Sequence, residues 1–191
     1  MLAEPLQVTL QVIDALEELG AAYWVGGSLA SALHGVARST LDSDLVADIS
    51  LAQVDDLVVA LDGTFYIDGE MIREAILHQG SFNLIHRATM FKVDVFLLKE
   101  RPFDQVQLER RQEQIVTADP ERKAYICTAE DIILAKLEWY KAGGEISERQ
   151  WRDVMGVLRV QAGHLDMEYL QEWAAELDVL DLLEKAISDI G

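Results

Sequence analysis

The stretch "YWVGGSLASALHGVARSTLDSDLVADI", Tyr23 to Ile49, decides how the rest of the chain is read. A short run of strand formers ends in a glycine pair, a serine heads a helical pattern, and two aspartates, Asp42 and Asp44, then stand two apart in a second strand-forming run. On a strand, residues i and i+2 project from one face, about 6.6 Å apart along the chain. Two like charges so placed raise each other's pKa and oppose folding unless a cation or water meets both. A divalent metal meets that need, and ligands made only of oxygen suit Mg²⁺ or Mn²⁺. A solvated strand end meets it as well.

Two further features bear on the choice. Gly26, Gly27 and Ser28 stand where a strand gives way to a helix; glycine lets a backbone approach a ligand closely, and the N–H groups of a helix start bind anions. That is the composition of a phosphate seat, and equally of a tight turn with Ser28 as N-cap. The second feature is Asp94 in "FKVDVFLL", one acid among Val93, Val95 and Phe96. A carboxylate in an apolar strand needs a metal or a base such as Lys92 or Arg87.

The chain has 191 residues, 50% apolar and 26% charged, without a repeat, a linker-like tract or a low-complexity segment. That is enough for one domain with a helical annex. With 34 acids against 16 bases the net charge is -18, a field that repels phosphate backbones and favours cationic small molecules or basic partners. Arg38 is the only Lys or Arg before Arg73, and it lies four residues ahead of Asp42. The first residues, "MLAEPLQ", lack the pattern of a secretory signal, and Gly20 to Ala37, though uncharged, holds too many Gly, Ser and His residues for a spanning helix. A cytoplasmic protein with no membrane association is expected. The single cysteine, Cys127, excludes an internal disulfide and reads as a small core residue. The four histidines are scattered and suggest no metal site.

Periodicity places a helix over 6–19, a strand at Ala21–Val25, a short helix from Ser28 to about His34 and a strand over 43–49. Helices follow at 52–61 and 70–79, then strands at 81–87 and 91–98. A segment at 103–112 leads into short strands at 113–117 and 123–127 around the Asp119-Pro120 turn. Beyond Thr128 the pattern is helical, at about 129–141, 147–161, 166–177 and 179–189. The expected class is α/β (α+β), a mixed sheet flanked by helices and followed by a C-terminal helical region. The boundary falls near 127, giving a core over 1–127 and a helical subdomain over 128–191. Leu170, Trp173, Leu177 and Leu180 form a stripe suited to core or a dimer face.

The order Gly-Gly-Ser, then Arg-Ser-Thr-x-Asp-x-Asp, then a lone Asp in a later apolar strand resembles the nucleotidyltransferase superfamily, which shares its fold with DNA polymerase beta. The resemblance is greatest to the small bacterial branch that includes abortive-infection-type toxins and antibiotic nucleotidyltransferases. It covers about Leu6 to Leu98, and more loosely Thr128 to Val160. It implies an Mg²⁺- or Mn²⁺-dependent transfer of a nucleoside monophosphate from a nucleoside triphosphate to a hydroxyl, with release of pyrophosphate. By position, Asp42, Asp44 and Asp94 would be the catalytic, metal-holding carboxylates, with Asp94 also helping to deprotonate the acceptor. Gly26, Gly27 and Ser28 would hold the β and γ phosphates, with Arg38 nearby. Lys136, in the apolar "EDIILAKLEWY", would contact the triphosphate, and Arg149, Arg152 and Asp153 would support the cleft or pair on the surface. Ser43, more polar than the family's filler between the aspartates, implies a strand end open to solvent. The acidic charge favours a small molecule or a protein side chain over tRNA as acceptor. The alternative is a non-catalytic nucleotide- or partner-binding module, such as a toxin–antitoxin component, and a homodimer is compatible with either reading.

Overall fold

The computed structural model describes residues 4–36, 40 and 42–190, which fall into two compact units. One comprises Met1–Gly26 and Thr40–Ile126, the other Gly27–Ser39 and Cys127–Gly191. The sequence places the boundary at 127 and keeps the segment 27–39 with the core, whereas in the structure that segment belongs to the helical unit. The structure thus cuts the opening stretch between its two glycines.

Among the described residues, the first unit carries every strand. Helix α1 (Glu4–Glu18) buries Val8, Val12, Ile13 and Leu16 along one stripe and ends at Gly20, whose φ of 67° is the left-handed turn that glycine adopts without strain. Strand β1 (Tyr23–Val25) follows. Beyond the excursion into the second unit come β2 (Asp42–Ala47), a 3-10 turn (Leu51–Gln53) and α3 (Val54–Leu61). Strand β3 (Phe65–Tyr66) leads to α4 (Gly69–Leu77), whose N-cap Asp68 accepts from the N–H groups of Glu70 and Met71. Strands β4 (Ser81–His86) and β5 (Lys92–Leu97) form a hairpin, and α5 (Pro102–Arg110) starts with proline in its first turn. Strands β6 (Gln112–Ala118) and β7 (Glu121–Ile126) complete the unit.

The seven strands form one mixed sheet in the order β3-β4-β5-β2-β1-β7-β6. The β2/β5 and β1/β7 pairs are parallel and the others antiparallel. Both β2 and β5 alternate half-buried and buried residues. Ser43, Leu45, Ala47, Val93, Val95 and Leu97 therefore face the core, and the acids face the other way.

The second unit is helical. It comprises α2 (Gly27–His34), α6 (Ala129–Ala142), α7 (Glu148–Val160), α8 (Met167–Glu176) and α9 (Leu180–Ser188). Thr128, Ser147 and Asp166 cap three of them through side-chain oxygens. Ile133, Leu137, Val154, Leu170, Ala174 and Leu183 form its core, so Leu170 of the apolar stripe is an interior residue. Cys127 is buried as expected, and its carbonyl is bonded to the His34 Nε2 at 2.7 Å.

Candidate active site

In the first unit the parallel β2/β5 register sets Asp44 opposite Asp94 and Asp42 opposite Lys92. Since i and i+2 share a face, Asp42, Asp44, Lys92 and Asp94 all project from the half-exposed side of the two strands. The Asp94 side chain is 19% exposed and accepts from the Lys92 ammonium at 2.6 Å, with Lys92 43% exposed. The hydrogen bond to Asp94 is the main cause that raises the Lys92 pKa above the ordinary lysine value; the charges of Asp94, Asp42 and Asp44 add to it. Asn83 of β4 flanks Asp94 on its other side. Thr40 Oγ1 donates to the Asp42 carbonyl at 2.7 Å and lies 3.1 Å from its Oδ1, fixing the entry to β2.

Ser43 is fully buried, and its Oγ accepts from Thr9 of α1 at 2.8 Å. This corrects the expectation that a polar residue between the aspartates opens the strand end to solvent. The hydroxyl belongs to the core face and is satisfied there by a second hydroxyl. Solvent reaches the acids from the other face of the same strand.

The Gly26 N–H donates to the Asp44 carbonyl at 2.9 Å, which fixes the end of β1 against β2. A Cβ at Gly26 would come no closer than 4.0 Å to that oxygen, so packing among the described residues does not require glycine here.

The donor set matches a hard divalent cation in chemistry, being three carboxylates with no sulfur or imidazole, and one strand pair presents all three on one face. Among the described residues, however, no three acidic, histidine or cysteine side chains are gathered closely enough to hold a metal as they stand. The charge-balancing partner of Asp94 in the structure is Lys92.

In the second unit α2 begins at Gly27, whose φ of 54° is left-handed. Ser28 is therefore inside the first turn rather than at the cap. Its side chain is 2% exposed, and its Oγ accepts from Arg149 Nη2 of α7 at 2.8 Å. Ser31 Oγ donates to the Gly27 carbonyl at 2.8 Å and closes that turn. Lys136 of α6 is buried and bonded to the buried Asp153 of α7 at 2.8 Å. Arg152 is exposed and only 4.0 Å from Glu148, a surface pair at helical spacing. Arg38 lies outside the described residues.

Of the residues singled out by the sequence, then, Asp42, Asp44 and Asp94 share one face and Gly26 is tied to Asp44. Ser28 and Lys136 each meet a charged residue of α7. Thr40 and Asn83 are additions. Asn83 could not be found without the antiparallel β4/β5 register, which only the structure supplies.

No protein-family model matches the chain, and no curated protein matches it in sequence. Solved structures do. The antibiotic-resistance factor ANT(2'')-Ia aligns over 98% of this chain and 100% of its own, at 18% identity and a TM-score of 0.57. The chain has the nucleotidyltransferase fold. The lincosamide antibiotic adenylyltransferase LnuA, in its lincomycin-bound form, aligns over 83% of this chain and 98% of its own at 14% identity and a TM-score of 0.53. An antigenic nucleotidyltransferase-like protein from Paracoccidioides brasiliensis aligns over 94% and 91% at 19% identity and a TM-score of 0.55. The nucleotidyltransferase fold was the expectation drawn from Gly-Gly-Ser and the three aspartates, and the mixed sheet bears it out.

Proposed function

We propose that the chain is an enzyme that moves a nucleoside monophosphate from a nucleoside triphosphate to a hydroxyl, with release of pyrophosphate and dependence on Mg²⁺ or Mn²⁺. The observation that carries this reading is the β2/β5 register, which sets Asp42, Asp44 and Asp94 on one half-exposed face of the nucleotidyltransferase fold. A binding module has no use for three mutually repelling acids in that arrangement. In this reading the three carboxylates hold the metal. When bound, divalent ions would supply positive charge for the attacking and leaving oxygens of an in-line displacement. Asp94 accepts the proton of the attacking hydroxyl, and Asn83 beside it is placed to orient that hydroxyl.

The phosphates are assigned to the amides of Gly26 and Gly27, to Ser28 and to Arg38. Arg149 is assigned with them, because its guanidinium bonds the Ser28 hydroxyl. Lys136 is assigned to the triphosphate with one of its three N–H donors engaged by Asp153. The net charge of -18 favours a hydroxylated, cationic small molecule as acceptor, ahead of a protein side chain and of tRNA. Among the described residues no helix is long and apolar enough to cross a membrane, and we place the protein in the cytoplasm.

The test is pyrophosphate release from each labelled nucleoside triphosphate with Mg²⁺ and a panel of aminated polyols and sugars. Release by the wild type that disappears in Asp44→Asn supports the reading. Release no greater than that of Asp44→Asn for every combination refutes it.

A further inference from the structure

Lys92 stands at an unusual point of the carboxylate face. It is the register partner of Asp42, it lies two residues before Asp94 on the same face, and its ammonium holds Asp94 Oδ2 at 2.6 Å. A cation at this point compensates the Asp94 carboxylate. It also occupies an oxygen that a third metal ligand has to offer, and among the described residues three carboxylates do not close on one point. The two facts have one explanation. We propose that Lys92 is a latch on the metal site: its ammonium holds Asp94 in the metal-free protein and must release that carboxylate when a divalent cation binds.

The inference rests on the metal-dependent reading above. Three observations support the movement. Lys92 is 43% exposed, so its long stem can carry the ammonium into water without burying an unpaired charge. It is the first residue of β5, where the side chain is least confined. Its backbone is in the sheet register, so the exchange needs no change in the strand. The latch thus trades one ion pair for metal coordination: the Nζ···Oδ2 contact breaks, and no proton or covalent bond changes hands. Lys92 thereby acts as a positioning residue that lowers metal affinity while compensating Asp94 in the metal-free protein.

The experiment is Mn²⁺ binding by electron paramagnetic resonance, without nucleotide, for wild type, Lys92→Met, Lys92→Arg and Asp44→Asn. Melting temperature in chelator and in saturating Mg²⁺ is measured for the same four proteins. The latch predicts that Lys92→Met binds Mn²⁺ about three- to tenfold more tightly than wild type, the range expected for releasing a half-exposed, charge-assisted hydrogen bond. Lys92→Arg, which keeps the cation, stays within about twofold of wild type on the same scale of exposed pairs. Lys92→Met also melts lower than wild type in chelator and gains more from Mg²⁺. Equal or weaker Mn²⁺ binding by Lys92→Met, with wild-type binding that Asp44→Asn abolishes, overturns the latch and leaves the metal reading intact. Wild-type binding that Asp44→Asn does not reduce overturns both.

Discussion

Asp44 and Asp94 are register partners across the parallel β2/β5 pair, so neighbouring strands present two carboxylates side by side on one half-exposed face. Each carries a charge that the metal-free fold has to tolerate. Asp44→Asn removes one of them, and in chelator the variant is expected to melt at or above the wild-type temperature while losing the stabilisation by Mg²⁺ and the transfer activity. A fall of about 2–4 °C in chelator, which about 1 kcal/mol produces in a chain of this size, would make Asp44 a structural residue instead.

The Lys136–Asp153 pair gives the opposite expectation. Both side chains are under a tenth exposed and 2.8 Å apart, so removing the lysine breaks a buried ion pair. Lys136→Met should cost about 3–5 kcal/mol in a denaturant titration, and Lys136→Met combined with Asp153→Leu should recover most of it. Triphosphate binding by the double variant then separates the two roles. Retained affinity marks the lysine as a core ion pair, and a loss confined to triphosphate against monophosphate marks it as a phosphate ligand.

Much of this architecture was readable from periodicity and punctuation. Helix α1 follows from its apolar stripe and its stop at Gly20, and α6 to α9 from their spacing, with capping residues at the first three, because those signals are local. Strand β3, two residues long, carries no periodic signal at all. Ser43 shows the limit of judging a residue by its polarity, since its surroundings depended on Thr9, 34 positions away. Gly35 shows another. A Cβ there would lie 2.9 Å from the Ser31 carbonyl oxygen and from the Val157 amide nitrogen, so the residue is glycine because α7 passes against α2. That reason is non-local and invisible in "LHGVA". The three aspartates were legible as a group because two share a strand and the third interrupts an apolar one. That Lys92 rather than Arg87 would engage Asp94 was decided by the strand, which puts Lys92 on the same face and lets Arg87 reach Asp62 at 3.1 Å.

Alkaline pH should weaken the fold through Cys127. The thiol is 1% exposed, and burial first, then the charge of Asp131, raises its pKa above the ordinary thiol value. A raised folded pKa means the native state keeps a proton that the unfolded chain gives up. The contribution is therefore full below the unfolded value of about 8.5 and declines as pH rises toward the folded one, by at most about 1.4 kcal/mol per pH unit. Urea midpoints from pH 7 to 10 should fall for wild type and fall less for Cys127→Ala. A thiol reagent at pH 8 should label the native protein only as fast as it unfolds.

The acceptor prediction rests on where the bases go. Arg87, Lys92, Lys99, Arg101, Arg110 and Arg111 are the cluster that could offset the acidic charge and bind an RNA end. In the structure Arg87 is paired with Asp62 and lies over the Tyr66 ring, Lys92 is held by Asp94, and Arg101 is bonded to Asp104 at 2.5 Å. Arg111 lies over the Tyr125 ring. Arg87, Lys92 and Arg101 thus have a carboxylate beside them, and a phosphate backbone would have to displace it within a field of net charge -18. Total tRNA should accordingly bind no more tightly than about 10⁻⁴ to 10⁻⁶ M at physiological salt, the non-specific range, and should take no label from nucleoside triphosphate and Mg²⁺. Labelling of tRNA 3′ ends that vanishes in Asp94→Asn would reverse this assignment and make the acceptor an RNA hydroxyl. Labelling of an aminated sugar or polyol with the same dependence on Asp94 would confirm the cationic small-molecule class.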